Sequence, residues 1–287
     1  MKSKIFDQNN ESSVEIAGGI YWVGFHDTES GLHCNPYLIV DNDEAVVIDG
    51  GSRPDFATVM MNIMETGIDP KQIKALIYQH YDPDLCGSIP NFEDIIDRKD
   101  LKIISDAENL MFIRHYGVAS RLISLSKLKF EYRFSSGRKI YFTKTPYVHA
   151  AGSFVTFDAN TRVLFTSDLF GSYGKDWELY LHLTDACLRC RDEASCAGNL
   201  PECPLAGIRY FHKKIMPSTR ALRHALEIIS RIPFKIIAPQ HGSVINDKKT
   251  IKFVFWYLAS LEKVGIDANT NEDYNPKFEN FVEHWGS

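Results

Sequence analysis

No apolar run in the chain approaches the roughly 20 residues that a helix needs to span a bilayer. The opening residues, MKSKIFDQNNESS, lack the apolar centre of a secretory leader. Together these absences lead us to expect a cytoplasmic protein with no membrane partner. Internal repeats, low-complexity tracts and flexible linkers are also missing, so the simplest organisation is a single domain over residues 1–287. Positive charge is not in excess: 32 Lys and Arg stand against 37 Asp and Glu, a net charge of -5, and the basic residues are scattered. That argues against a nucleic-acid surface and towards a small substrate or ligand. Cysteine is scarce, with 6 in 287 residues, and under reducing conditions such cysteines are thiols or metal ligands rather than disulfides.

What is present is ample apolar content: 44% hydrophobic residues against 24% charged, enough to bury a substantial core. Short strands alternate with helices. IYWVGFH, NPYLIVDN, EAVVIDGG and IKALIYQ read as strands, and Pro54 to Glu65 as a helix with proline in its first turn. LKIISD followed by AENLMFIRHYG repeats the strand and helix pattern, with Gly117 as the stop. From Phe130 to Phe170 the pattern is mostly β, and Asp158 to Thr161 form a hairpin turn. Residues 172–216 contain no convincing strand and carry four of the six cysteines, which marks them as a Cys-rich insertion. Pro217 to Ile232 reads as a helix behind a Ser218 cap, FKIIAPQHG as a strand, and Lys252 to Leu261 as a further helix.

Four apolar strands share one property: each exits onto a His or Asp. They are ALIYQHYDPD with His80, Asp82 and Asp84, TPYVHAAG with His149, VLFTSDLFG with Asp168, and IIAPQHG with His241. Strand ends gather along one sheet edge, where sites are built. A lone His at a strand end is more often a hydrogen-bonded structural residue than a ligand. Three His and three carboxylates at such exits, three of them alternating in QHYDPDLCG, point instead to a centre for two metal ions.

The order and spacing of H80-Y-D82-P-D84-L85-C-G87, then His149, SD168LFG and APQH241G, resemble the metallo-β-lactamase fold over roughly residues 15–250. The resemblance implies an α/β chain folded as an αββα sandwich, with metals at one edge of its two sheets. Hydrolytic members carry His at the positions of Asp82 and Leu85, and Leu85 cannot bind a metal. A carboxylate at position 82 adds hard oxygen and negative charge that suit iron. In these departures the chain is similar to the flavodiiron proteins and their flavodoxin-less relatives, the oxygen-binding diiron proteins. That resemblance implies one iron on His80, Asp82 and His149, a second on Asp84 and His241, and Asp168 bridging, with no catalytic residue beyond the ligands. Asp82 is one methylene shorter than the usual Glu. The ligand implied is dioxygen or nitric oxide, either reduced or reported.

Flavodiiron proteins feed their irons from a flavodoxin domain, and no FMN site is visible here. The insertion instead holds Cys187, Cys190, Cys196 and Cys203, opened by Cys-x-x-Cys and closed by Cys-Pro. Four thiolates can hold a [4Fe-4S] cluster, which would relay electrons from an external donor, or a structural Zn. A homodimer is implied by the family alone. The alternative readings are a metal-dependent hydrolase of esters, thioesters or phosphodiesters with a Zn(Cys)4 site, and a noncatalytic oxygen sensor. Cys86 reads as a small buried hydrophobe, and Cys34 in LHCNPY could be the same or a thiol near the metals.

Overall fold

A computed structural model describes residues 12–27, 30–175, 177–190 and 203–268. The first sheet holds β1 (Val14–Ala17), β2 (Ile20–Trp22), β3 (Tyr37–Asp41), β4 (Glu44–Ile48), β5 (Ile73–Ile77), β6 (Lys102–Ser105) and β7 (Arg121–Ser124), side by side in chain order. β1 to β4 are antiparallel and β4 to β7 parallel. Parallel neighbours require crossovers. They are supplied by α1 (Phe56–Glu65), by the short α2 (Pro83–Cys86) with α3 (Ile89–Ile96), and by α4 (Ala107–Ile113).

The second sheet holds β8 (Glu131–Arg133), β9 (Lys139–Lys144), β10 (Phe154–Asp158), β11 (Val163–Phe165) and β12 (Ile236–Ala238), in the order β12-β11-β10-β9-β8. The helices α5 (Pro204–Ile215) and α6 (Thr219–Ile229) carry the chain from β11 back to a parallel β12, and α7 (Lys248–Ser260) follows.

Side-chain alternation along the strands builds the layers. In β4, Val46 and Ile48 point into the space between the sheets, where they join Phe154, Val163 and Phe165 of the second sheet. Ala45 and Val47 point the other way, onto Val59 and Ile63 of α1 and Phe92 of α3. In the second sheet Val155, Phe157 and Leu164 face outward onto Leu205, Ile208 and Phe211 of α5 and onto residues of α6 and α7. Three apolar layers between four structural layers make the αββα sandwich. Both faces of β5 are covered, which is why IKALI reads as a nearly unbroken apolar run.

Local signals in the sequence are realised. Ser218 Oγ accepts from Ala221 N at 3.1 Å and caps α6. The Asp158 carboxylate accepts from Thr161 N at 2.8 Å in the predicted hairpin turn, and it also pairs with Arg138 at 2.8 Å in a buried contact. Within 172–216 the sequence pattern singles out no regular element, yet α5 occupies its end, with Pro204 in the first turn and Cys203 just before it. Among the described residues no helix is long and apolar enough to cross a membrane.

Candidate metal centre

β5 delivers Tyr78, Gln79 and His80 to one edge of the sandwich, and the connection is pinned before the first candidate ligand. Ser105 Oγ donates to Tyr78 O at 2.5 Å. Asp49, just past β4, accepts from Gln79 N at 2.9 Å and from Gln79 Nε2 at 2.8 Å. Burial pushes the Asp49 carboxyl up to about 6, although the Gln79 donors and His80 pull against it. Asp82 then sits in extended backbone immediately before α2, which turns the chain so that Asp84 follows on its first turn.

The six residues singled out by the sequence converge. His149 Nε2 lies 3.2 Å from Asp82 Oδ2 and 3.2 Å from Asp168 Oδ2. His80 Nε2 lies 3.8 Å from Asp82 Oδ2 and 3.8 Å from Asp168 Oδ1. On the other side, His241 Nε2 is 3.2 Å from Asp84 Oδ2 and 3.7 Å from Asp168 Oδ1. Asp168 thus touches both groups, and its buried Oδ1 has no hydrogen-bond partner. An unsatisfied carboxylate oxygen between imidazole nitrogens is costly unless a cation sits against it. The donor set therefore fits two divalent cations with Asp168 between them.

Electrostatics agree. For Asp84, burial acts upward but the His241 imidazole outweighs it, leaving the carboxyl at about 2. Burial acts downward on His149 and His241; the facing carboxylates, joined at His241 by the Cys34 sulfur, overcome it, so both imidazoles are held above their ordinary value. Such a cluster attracts positive charge, whether as protons or as metal.

The far nitrogens of two imidazoles are fixed. His241 Nδ1 lies 2.9 Å from the His33 carbonyl oxygen, which can only accept, so Nδ1 carries the proton and Nε2 is free to bind. His80 Nδ1 lies 2.9 Å from Ser167 Oγ. Ser167 and Tyr147, one and two residues before Asp168 and His149, have φ of 52° and 64°, and Asp49 has 54°. Non-glycine residues in this region hold strain, which concentrates where side-chain placement matters. Gly242, directly after His241, has φ +81°, and a Cβ there would meet Ser172 Cβ at 2.8 Å.

Residues beyond these six separate. Leu85 is fully buried in the apolar layer under the first sheet with Tyr78 and Phe92. Cys86 shares that layer, and its thiol points to the His80 carbonyl at 3.6 Å. His212 is structural: it is buried, its Nδ1 donates to Ile208 O at 2.7 Å, and its Nε2 accepts from Phe170 N at 3.0 Å. Tyr81 stacks on Phe112 at 4.4 Å and Tyr147 is exposed. Cys187 and Cys190 bracket one 3-10 turn, Cys203 precedes α5, and all three pack in the outer apolar layer of the second sheet. Cys196 lies outside the described residues. Asp49, Gln79, Ser167 and His33 belong to no motif in the sequence; their roles arise from contacts 30 to 208 positions apart. Cys34, ambiguous in the sequence, lies with Asp84 and His241, their ligand atoms all within 4.8 Å of one another.

A family model described as ODP family beta lactamase matches residues 32–242, a span that contains all six converging residues. The chain belongs to this ODP family. The ODP-family chain is 25% identical over 252 residues to the type A flavoprotein fprA of Rhodobacter capsulatus, covering 81% of this chain and 52% of that protein. It is 23% identical over 261 residues to an anaerobic nitric oxide reductase flavorubredoxin of Vibrio vulnificus, covering 86% of this chain and 49% of the other. The chain spans about half the length of these curated relatives. Among solved structures, one titled as a peroxy diiron species of the chemotaxis sensor ODP superposes with a TM-score of 0.67 at 22% identity. That match covers 89% of this chain and 97% of the other. These likenesses agree with the αββα sandwich described above.

Proposed function

We propose that this chain binds dioxygen at a two-iron centre and reduces it, with nitric oxide as a second ligand of the same site. One iron would be held by His80, Asp82 and His149, the other by Asp84 and His241, with Asp168 shared. The observation that carries this reading is Asp168, whose buried and unpartnered Oδ1 faces both His80 and His241. When bound, iron in a mixed imidazole and carboxylate shell supplies open positions and two accessible oxidation states. The chain's own residues orient and exclude: Ser167 and His33 fix the imidazoles, and the buried His80, Asp168 and His241 close the inner wall. Asp82, Asp84 and His149 keep 33%, 26% and 25% of their side chains exposed, which leaves an outer face open to a small ligand. The relatives titled nitric oxide reductase and peroxy diiron species support both ligands. A hydrolytic reading is disfavoured because Leu85 belongs to the core and Asp82 supplies oxygen where zinc hydrolases carry nitrogen.

Electrons would come from an external donor through a [4Fe-4S] cluster on Cys187, Cys190, Cys196 and Cys203, housed in the insertion at 172–216. The test is anaerobic purification with metal and acid-labile sulfide analysis, followed by consumption of dioxygen and nitric oxide under a chemical reductant. About six irons and about four sulfides per chain are expected. Cys187→Ser and Cys203→Ser should remove the sulfide while sparing the site irons. Zinc throughout, with no sulfide and no iron uptake on reconstitution, would overturn the redox reading. Stoichiometric oxygen binding without turnover would identify a sensor instead, a reading favoured by the match to 97% of the chemotaxis sensor.

A further inference from the structure

We propose that Cys34 is a metal ligand: its thiolate joins Asp84 and His241 to hold the second metal of the centre. This rests on the two-metal reading above and adds a ligand to it. Without Cys34 the second position has only Asp84, His241 and a share of Asp168, whereas the first has His80, Asp82, His149 and the same share. Leu85 cannot redress the imbalance, since it is buried in the core. Cys34 Sγ lies 3.9 Å from Asp84 Oδ2, and Asp84 Oδ2 lies 3.2 Å from His241 Nε2. The three ligand atoms all lie within 4.8 Å of one another, a separation that a metal ion can bridge.

The placement is built into the backbone. On one side of Cys34, His33 O accepts from His241 Nδ1 at 2.9 Å. On the other, Asn35 N donates to Gln240 O at 2.8 Å, and Asn35 Nδ2 donates to Gly242 O at 2.7 Å and to Pro239 O at 3.0 Å. Residues 33–35 and 239–242 are thereby laced together, which fixes the thiol and the His241 imidazole as a pair. The bland alternative for a cysteine is apolar packing. Cys86, Cys187, Cys190 and Cys203 each belong to an apolar layer, but Cys34 belongs to none among the described residues and is only part-buried. Asp168 Oδ1, buried and unpartnered, faces the same position from 3.7 Å off His241 Nε2.

Binding exchanges the thiol proton for the metal: the S–H bond breaks, the proton leaves to solvent, the sulfur–metal bond forms, and no electrons change hands. The thiolate and the Asp84 carboxylate then balance a dication. The two positions become chemically unequal, the first hard with imidazole and carboxylate, the second softened by sulfur.

The test compares the full chain with Cys34→Ala, Cys34→Ser and His149→Ala, each loaded anaerobically with iron and separately with cobalt. Wild type minus Cys34→Ala should show a thiolate-to-cobalt absorption band, a difference that cancels any contribution from the four insertion cysteines. The affinity of one metal per chain should fall by at least tenfold, of the order seen when supporting contacts are removed. Cys34 in the metal-loaded chain should resist iodoacetamide, read on its own peptide, and become reactive after chelation. No difference band, unchanged affinity and equal alkylation in the loaded and metal-free chains would overturn the proposal. Loss of metal in His149→Ala but not in Cys34→Ala would overturn the thiolate ligand alone. Loss in neither would overturn the two-metal centre with it.

Discussion

Ser167 Oγ lies 2.9 Å from His80 Nδ1, a contact that ties the exit of β11 in one sheet to the exit of β5 in the other. The hydroxyl orients the imidazole so that Nε2 faces Asp82 and Asp168. Ser167→Ala should leave the fold intact and weaken the metal held by His80 by roughly 10–100-fold. Competition with a chromophoric chelator measures this, and unchanged affinity would show that the hydroxyl does not orient the ring.

Asp168 touches His80, His149 and His241, so its replacement should affect both metals together. Asp168→Asn keeps the shape and removes the charge. Metal affinity should fall at both positions, by more than the roughly 10–100-fold expected of an outer contact. Equilibrium dialysis with metal analysis would show two metals lost; loss of a single metal would place Asp168 at one position only.

Leu85 invites a substitution to His to restore the residue that zinc hydrolases carry there. Its side chain is fully buried among Val59, Tyr78 and Phe92, so the new imidazole would lie in apolar surroundings. Leu85→His should cost about 2–4 kcal/mol of stability and add no metal. Denaturant unfolding and metal content together decide it; a stable variant that binds an extra zinc would refute the placement.

His212 sets an acid limit on the fold. Burial holds its imidazole down to about 4 from an ordinary 6.5, against the opposing pull of the Ile208 carbonyl and Asp168. The unfolded chain therefore binds the proton that the folded chain refuses. Stability present above pH 6.5 is lost as pH falls through 6.5 towards about 4, by roughly 3 kcal/mol for this one group. His212→Gln, which can still accept from Phe170 N, should flatten the dependence of the unfolding midpoint on pH over that window. An unaltered slope would assign the acid sensitivity elsewhere.

Much of the fold was legible because its strands carry their burial in their spelling. EAVVI and IKALI are apolar on both faces, and the residues after β5, β11 and β12 break that pattern abruptly with His or Asp. The same abruptness exposed five of the six converging residues, whereas His149 sits in the connection between β9 and β10, five residues past the end of β9. What stayed hidden depends on contact rather than pattern. Asp49 looks like an ordinary strand-ending acid until Gln79 is found on it, and nothing in LHCNPY announces that the His33 carbonyl meets His241. α5 escaped notice because RYFHKK interrupts its apolar face with polar and charged residues, and only α6, α7 and the second sheet reveal which side is buried.

The centre also has an order of manufacture. His80, Asp82 and Asp84 leave the ribosome within one short stretch, His149 and Asp168 follow, and His241 comes last, after α5 and α6. Since synthesis proceeds from the N-terminus at about 5–20 residues per second, the first sheet and its three acceptors exist for several seconds before the second sheet gains β12. A metal captured in that interval would meet a half-finished cradle lacking His241. On the proposed two-metal centre, correct loading would therefore be a late event, gated by the return of the chain to pair β12 with β11.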